Sequence, residues 1–83
     1  MGKGPKIGSQ QWIILTELIR MNVYNDQPTP VPYTKLKELS QARNLPATIK
    51  QLTLRGNEID IAYTRGGEVA YTLIKVDGYQ FAD

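Results

Sequence analysis

The amino-acid sequence predicts a small α+β domain with three helices, a short edge strand and a C-terminal β-hairpin. Two observations carry this prediction. Apolar residues recur every three or four positions before Gly56, as in helices, and every second position after it, as in strands. Prolines at positions 28, 30 and 32 exclude helix between the first two helical segments. The 83 residues suffice for one domain, which we place at 9–76, between a flexible basic arm (1–8) and a C-terminal tail (77–83).

The first helix is predicted in the segment SQQWIILTELIRMN. Ser9 is a favourable N-cap residue. An apolar stripe follows at helical spacing, formed by Trp12, Ile14, Leu15, Leu18 and Ile19. Because Trp12 belongs to this stripe, we expect it in the core and not as a platform for nucleic-acid bases.

The proline-rich segment after the first helix predicts a short edge strand. In an extended chain the three alternate prolines face one side, and the amides of Thr29 and Val31 face the other. A strand of this kind can pair on one side only, so its proline side is expected to face solvent.

The second and third helices are predicted in TKLKELSQARN and LPATIKQLTLRGN, joined by a tight turn around Asn44 and Leu45. In the second helix we expect Thr34 as the N-cap, Asn44 as a left-handed end, and a buried stripe of Leu36, Leu39 and Ala42. In the third helix we expect Pro46 in the first turn, Ile49 and Leu52 facing inward, and Gly56 at the end.

The hairpin can be built with two loop lengths. A two-residue loop, Gly66 and Gly67, would place Ile61 opposite Thr72. A three-residue loop that begins at Arg65 instead puts large residues together on one face and suits a type I turn with Gly67 in the left-handed conformation. We therefore expect these pairs: Ile59 with Leu73, Ile61 with Tyr71, Ala62 with Ala70 and Tyr63 with Val69. The hairpin would close the core with Ile59, Ile61, Tyr71 and Leu73.

This order of elements resembles the winged helix-turn-helix domain. The segment YTKLKELSQARNLPATIKQL is similar to the helix-turn-helix pair, TIKQL to the start of its recognition helix, and RGNEIDIAYTRGGEVAYTLI to the closing glycine and wing. Ser40 stands where a small residue follows the first core leucine, and Asn44 stands where the turn often has glycine. The resemblance is to an architecture and implies a DNA-binding transcriptional regulator, with residues 46–55 in the major groove and the wing, 59–74, assisting.

The charge distribution favours an anionic partner near the middle of the chain. Residues 33–57 carry five basic residues against Glu38 alone, a local charge of +4, whereas 58–83 carry two basic residues against five acidic ones, a local charge of −3. On the third helix, Ile49 and Leu52 face inward, so the side chains on the other side of the helix can contact base edges and phosphates. The expected DNA-contacting residues are Thr48, Lys50, Gln51 and Arg55 on this helix, Lys35, Lys37 and Arg43 before it, and Arg65 at the wing tip. Each also suits a solvated helix face or a polar turn.

Composition argues against catalysis. The chain has neither cysteine nor histidine, which excludes thiol nucleophiles, Ser-His-Asp triads and most zinc sites. Glu58 and Asp60 share a strand face, but no third ligand accompanies them, so we expect no metal and no cofactor. The apolar runs are shorter than the roughly 18–20 residues of a membrane span, and we expect a cytoplasmic protein.

A protein-binding adaptor is the alternative function. Many winged-helix modules bind proteins, and the acidic last third of the chain suits this use. A homodimer or protein partner would then meet Tyr71, Tyr79 and Phe81, and dimerisation would use the first helix or the tail.

Overall fold

The computed structural model describes residues 5–24, 27 and 29–76. Within this part of the chain, three helices and three strands follow one another as α1 (Gln10–Asn22), β1 (Val31–Pro32), α2 (Tyr33–Ser40), α3 (Leu45–Leu54), β2 (Glu58–Tyr63) and β3 (Val69–Lys75). The strands form one antiparallel sheet in the order β1-β3-β2, which makes β3 central. The chain is thus a small α+β domain, as predicted. None of the helices described is long and apolar enough to cross a membrane.

Helix α1 forms the centre of the core and contacts α2, α3 and β3. Its Ile14, Leu15 and Leu18 are almost completely buried. Apolar residues from every other helix and from β1 and β3 join them, and the cluster comprises Ile14, Leu15, Leu18, Val31, Leu36, Ala42, Leu45, Ile49, Leu52, Tyr71 and Leu73. Burial of this cluster is the main force that holds the helices on the sheet.

Several predicted helix ends are confirmed. The Ser9 hydroxyl accepts a hydrogen bond from the Trp12 amide at 3.2 Å, as an N-cap does. Pro46 lies in the first turn of α3, and Gly56 follows its C-terminus with a φ of 108°. The expectation of a core position for Trp12 is wrong, since its side chain is half-buried and lies outside the core cluster.

The turn between α2 and α3 differs from the prediction. Helix α2 ends at Ser40, and Gln41, with a φ of 56°, takes the left-handed conformation expected of Asn44. The Ser40 hydroxyl donates to the Leu36 carbonyl at 2.7 Å and accepts from the Ala42 amide at 3.3 Å, which ends the helix early. Asn44 instead caps α3, because its Oδ1 accepts from the Ala47 amide at 3.2 Å.

The start and the apolar face of α2 also differ from the prediction. Leu36 is completely buried, but Leu39, three positions later on the same helix, is 48% exposed. Thr34 is not the N-cap: α2 already begins at Tyr33, after Pro32. The start of α2 is instead capped by Glu68, which directly precedes β3. Its carboxylate accepts hydrogen bonds from the Thr34 amide, at 3.0 Å, and from the Thr34 hydroxyl. A carboxylate at this position also interacts favourably with the helix dipole.

We predict that Glu68→Ala lowers the melting temperature at neutral pH. The hydrogen bonds from Thr34 hold the pKa of Glu68 below its ordinary value of 4.5. The stabilisation is therefore fully present above about pH 4.5 and disappears as the pH falls through the lower pKa of the folded state. Thermal melts followed by circular dichroism should show a gap between wild type and variant that closes in acid.

Glu38→Ala is the control for this prediction. Glu38 is exposed on α2, and its side chain forms no hydrogen bond or ion pair with the described residues. Its removal should therefore leave the melting temperature unchanged. Equal melting temperatures of wild type and Glu68→Ala at neutral pH would contradict the capping role.

The hairpin has the predicted register. Ile59 pairs with Leu73, Ile61 with Tyr71, Ala62 with Ala70 and Tyr63 with Val69. The three-residue loop is confirmed by hydrogen bonds from the Thr64 amide to the Glu68 carbonyl and from the Gly67 amide to the Thr64 carbonyl, both of 2.9 Å. Gly67 is left-handed, with a φ of 83°. The short edge strand is also confirmed, since Val31 pairs with Tyr71 and Pro32 with Ala70.

The core covers less of the hairpin than predicted. On the helix-facing side, Tyr71 and Leu73 of β3 are buried and Ile59 is half-buried. Ile61 and Tyr63, further along β2, are 63% and 70% exposed. The expectation that Ile61 closes the core is therefore wrong, because the helices cover the central strand and only the start of β2.

Candidate nucleic-acid interface

Helix α3 turns four residues inward and leaves an outer face of two polar and two apolar residues. The buried residues are Leu45, Thr48, Ile49 and Leu52, and the exposed stripe on the opposite side consists of Ala47, Lys50, Gln51 and Leu54. The expected DNA contact by Thr48 is wrong: it is 8% exposed, and its hydroxyl donates to the Asn44 carbonyl at 3.2 Å. Thr48 shares the inward face with Leu45 and Leu52, three and four positions away.

Gln11 of α1 connects two of the expected contact residues. Its Oε1 accepts a hydrogen bond from Arg55 Nε, and its Nε2 donates to Gln51 Oε1, each at 2.7 Å. Both bonds cross from the first turn of α1 to the C-terminal half of α3. They hold the exposed side chains of Gln51 and Arg55 side by side. Restricting these long side chains before binding reduces the entropy lost on binding.

The segment that contains α3, residues 40–57, carries no carboxylate. From Ser40 to Asn57 the chain has three basic residues and no Asp or Glu. Arg43 is exposed in the α2–α3 turn, Lys50 is exposed on the outer face of α3, and Arg55 follows the helix. A segment in which every charged side chain is positive attracts a polyanion.

Lys35 belongs to a separate cluster. Its Nζ lies 3.4 Å from Glu17 Oε2, and Arg20 forms two hydrogen bonds with the same carboxylate, of 2.7 and 3.0 Å. The hydrogen bonds from Arg20 lower the pKa of Glu17 against the effect of burial, and the charge of Lys35 adds to this. Glu17 lies six positions after Gln11, about 9 Å along the helix axis. Lys35 thus forms an ion pair with Glu17 and lies away from the site where Gln11 contacts α3.

The other basic residues expected to contact DNA, Lys37 and Arg65, are exposed. Lys37 Nζ lies 5.9 Å from the centroid of the Tyr33 ring, a cation–π contact that positions the ammonium group. Arg65 is exposed at the tip of the hairpin.

Two adjoining depressions lie beside α1. One, of about 300 Å³, is lined by Thr16, Ile19, Arg20, Val23, Tyr24 and Val76, and the other, of about 360 Å³, by Ile13, Thr16, Glu17, Arg20 and Leu39. The Thr16 hydroxyl donates to the Trp12 and Ile13 carbonyls, at 2.8 and 3.0 Å, so its proton is already engaged. Among the described residues there is no group of three or more Asp, Glu, His or Cys able to hold a metal.

The residues expected at a protein interface need correction. Tyr71 is only 4% exposed, and its burial raises the pKa of the hydroxyl. Little of its side chain is therefore accessible to a partner. Tyr79 and Phe81 lie outside the described residues. The exposed apolar side chains near α3 and on β2 are instead Leu54, Ile61 and Tyr63, which are 77%, 63% and 70% exposed. The alternation along β2 had assigned Ile61 to the core and had placed Tyr63 on the same face of the hairpin.

Comparison of the chain with models of protein families, with curated proteins and with solved structures gave no match. The residues of the chain and their geometry are therefore the basis for the function proposed below.

Proposed function

We propose that the chain is a winged-helix protein that binds double-stranded DNA, with α3 in the major groove. The observation that carries the proposal is the outer side of α3, where Lys50 and the Gln11-linked pair of Gln51 and Arg55 lie in a segment, 40–57, that has no Asp or Glu. An α helix fits the major groove, and amide and guanidinium groups match the hydrogen-bonding edges of adenine and guanine.

Each residue of this face has a distinct role in the proposal. Gln51 donates to and accepts from a base edge, and Lys50 and Arg55 bind guanine or phosphate. Ala47, exposed on the same stripe, has a side chain small enough for close approach of the helix. Gln11 is a positioning residue, since it acts through Gln51 and Arg55.

Residues outside α3 hold the duplex backbone. Arg43 and Lys37 bind phosphates, which sets the orientation of the protein without reading sequence. Arg65 reaches the backbone or the minor groove from the wing. With these contacts the protein regulates transcription by occupying its site, without a catalytic step.

Salt titration of binding to a random-sequence duplex tests the proposal. Three or four phosphate contacts should give a logarithmic slope of about −3 against salt concentration. Selection of bound DNA from a random pool would then show whether a sequence is preferred. No binding at low salt, or binding that is insensitive to salt, would exclude the proposed interface.

A protein-binding module is the second candidate. The observation that favours it is the exposure of Leu54, Ile61 and Tyr63 beside a largely polar surface. If the protein is folded but does not bind DNA in the salt titration, that result would favour this candidate over the first.

A further inference from the structure

The two edges of the sheet differ in how they are protected. Strand β1 has only two residues, and its Pro32, like the preceding Pro30, has no amide hydrogen. Strand β2 has six residues and contains neither proline nor lysine. Proteins commonly protect exposed edges with such residues, because unprotected edges pair with other strands.

The hydrogen-bond pattern shows what β2 presents at this edge. The bond from the Thr64 amide to the Glu68 carbonyl makes Thr64 and Glu68 a hydrogen-bonded pair. Since such pairs alternate in an antiparallel ladder, the backbone groups of Asp60 and Ala62 also point towards β3. Those of Ile59, Ile61 and Tyr63 point away from the sheet. The same residues carry the apolar side chains of β2, and two of these are mostly exposed.

We infer that β2 pairs antiparallel with β2 of a second copy, around a two-fold axis at Ile61. Ile61 would lie opposite the partner's Ile61, and Ile59 opposite the partner's Tyr63. All three have outward backbone groups, so the pairing forms about six backbone hydrogen bonds. The exposed apolar side chains of both copies then lie together on one face of a continuous six-stranded sheet.

The charges on the other face select this register. With the axis at Ile61, Asp60 lies opposite the partner's Ala62. With the axis at Asp60, two carboxylates would lie directly opposite each other, which is destabilising. An axis at Ala62 would pair Ile59 with the turn residue Arg65 and lose the contact between Ile59 and Tyr63. The strand is thus complementary to itself, which favours a second copy over an unrelated chain.

Such an interface is small, so we expect reversible association that depends on concentration. The inference does not rest on the proposed function, because the edge of β2 and the outer face of α3 involve different residues.

Sedimentation velocity of the full chain over a wide concentration range tests the inference. The wild-type protein should shift from monomer to dimer as the concentration rises, and Ile61→Lys should remain monomeric, because an edge lysine opposes pairing. Ile74→Lys is the matched control: Ile74 is 53% exposed in the same sheet but lies on the central strand. This variant should dimerise like the wild type, and circular dichroism should show that both variants fold.

Amide hydrogen exchange identifies the edge involved. Exchange at Ile61 and Tyr63 should slow at concentrations where the dimer forms. A monomer at every concentration, association beyond a dimer, equal effects of the two lysine variants, or dimerisation without slower exchange on β2 would each overturn the inference.

Discussion

Leu36→Ala is expected to reduce the free energy of unfolding by about 3 kcal/mol, within the range for buried leucines. Leu36 is completely buried, and the only other buried residue of α2 is Ser40. The attachment of α2 to the core thus depends largely on one side chain. A domain of this length has a stability of roughly 4–12 kcal/mol, so the loss is a large fraction of the total.

Chemical denaturation measures this loss, and Leu39→Ala is the matched control. Both leucines lie on α2 three positions apart, but Leu39 is 48% exposed. Its truncation should therefore reduce the free energy of unfolding by less than about 1 kcal/mol, because the side chain of Leu39 buries less apolar surface on folding than that of Leu36. Equal effects of the two substitutions would contradict the observed orientation of α2.

The two leucines also show what could be predicted from the sequence. Helical spacing places both on one face, and the predictions of three helices, a short edge strand and the hairpin register were correct to this level. The spacing does not reveal where a helix ends. Ser40 and Gln41 end α2 through local hydrogen bonds. The spacing also does not reveal that Leu39 is 48% exposed while Leu36 is buried.

The same limit applies to the hairpin. Alternation assigned Ile61 to the inward face, and its pairing with Tyr71 confirms that side. Burial of that side, however, depends on how far the helices extend over the sheet. This is a tertiary property, because it depends on how α1 and α2 pack against β3 and how α3 packs against β2. The exposed edge of β2 could therefore not be foreseen.

The candidate site was predictable in part. The basic residues around α3 follow from local composition, and the outward directions of Lys50, Gln51 and Arg55 follow from the buried Ile49 and Leu52. Gln11 was missed because its bonds to α3 join residues 40 and 44 positions apart. Its only signal in the sequence is a polar residue near the start of an apolar helix, which is common on any surface helix.

Lys50→Ala combined with Arg55→Ala is expected to reduce affinity for duplex DNA roughly hundredfold at low salt. Contacts of this kind contribute about 1–3 kcal/mol each, and a tenfold change in affinity corresponds to about 1.4 kcal/mol. If both side chains bind phosphates, the salt slope should also become shallower by about 2. Fluorescence anisotropy at several salt concentrations measures both quantities, and unchanged affinity would contradict the assignment of α3.

Two further variants separate charge from positioning. Lys75→Ala removes one positive charge from an exposed position on β3 that is not among the proposed DNA contacts, and it should leave affinity nearly unchanged. Gln11→Ala removes no charge but releases Gln51 and Arg55 from their shared partner. Because each ordered long side chain contributes about 0.5–1.5 kcal/mol through entropy, this variant should weaken binding by roughly tenfold. Its salt slope should equal that of the wild type, since every phosphate contact remains. A shallower slope for Gln11→Ala would mean that Gln11 acts through the charge of Arg55 and not through its orientation.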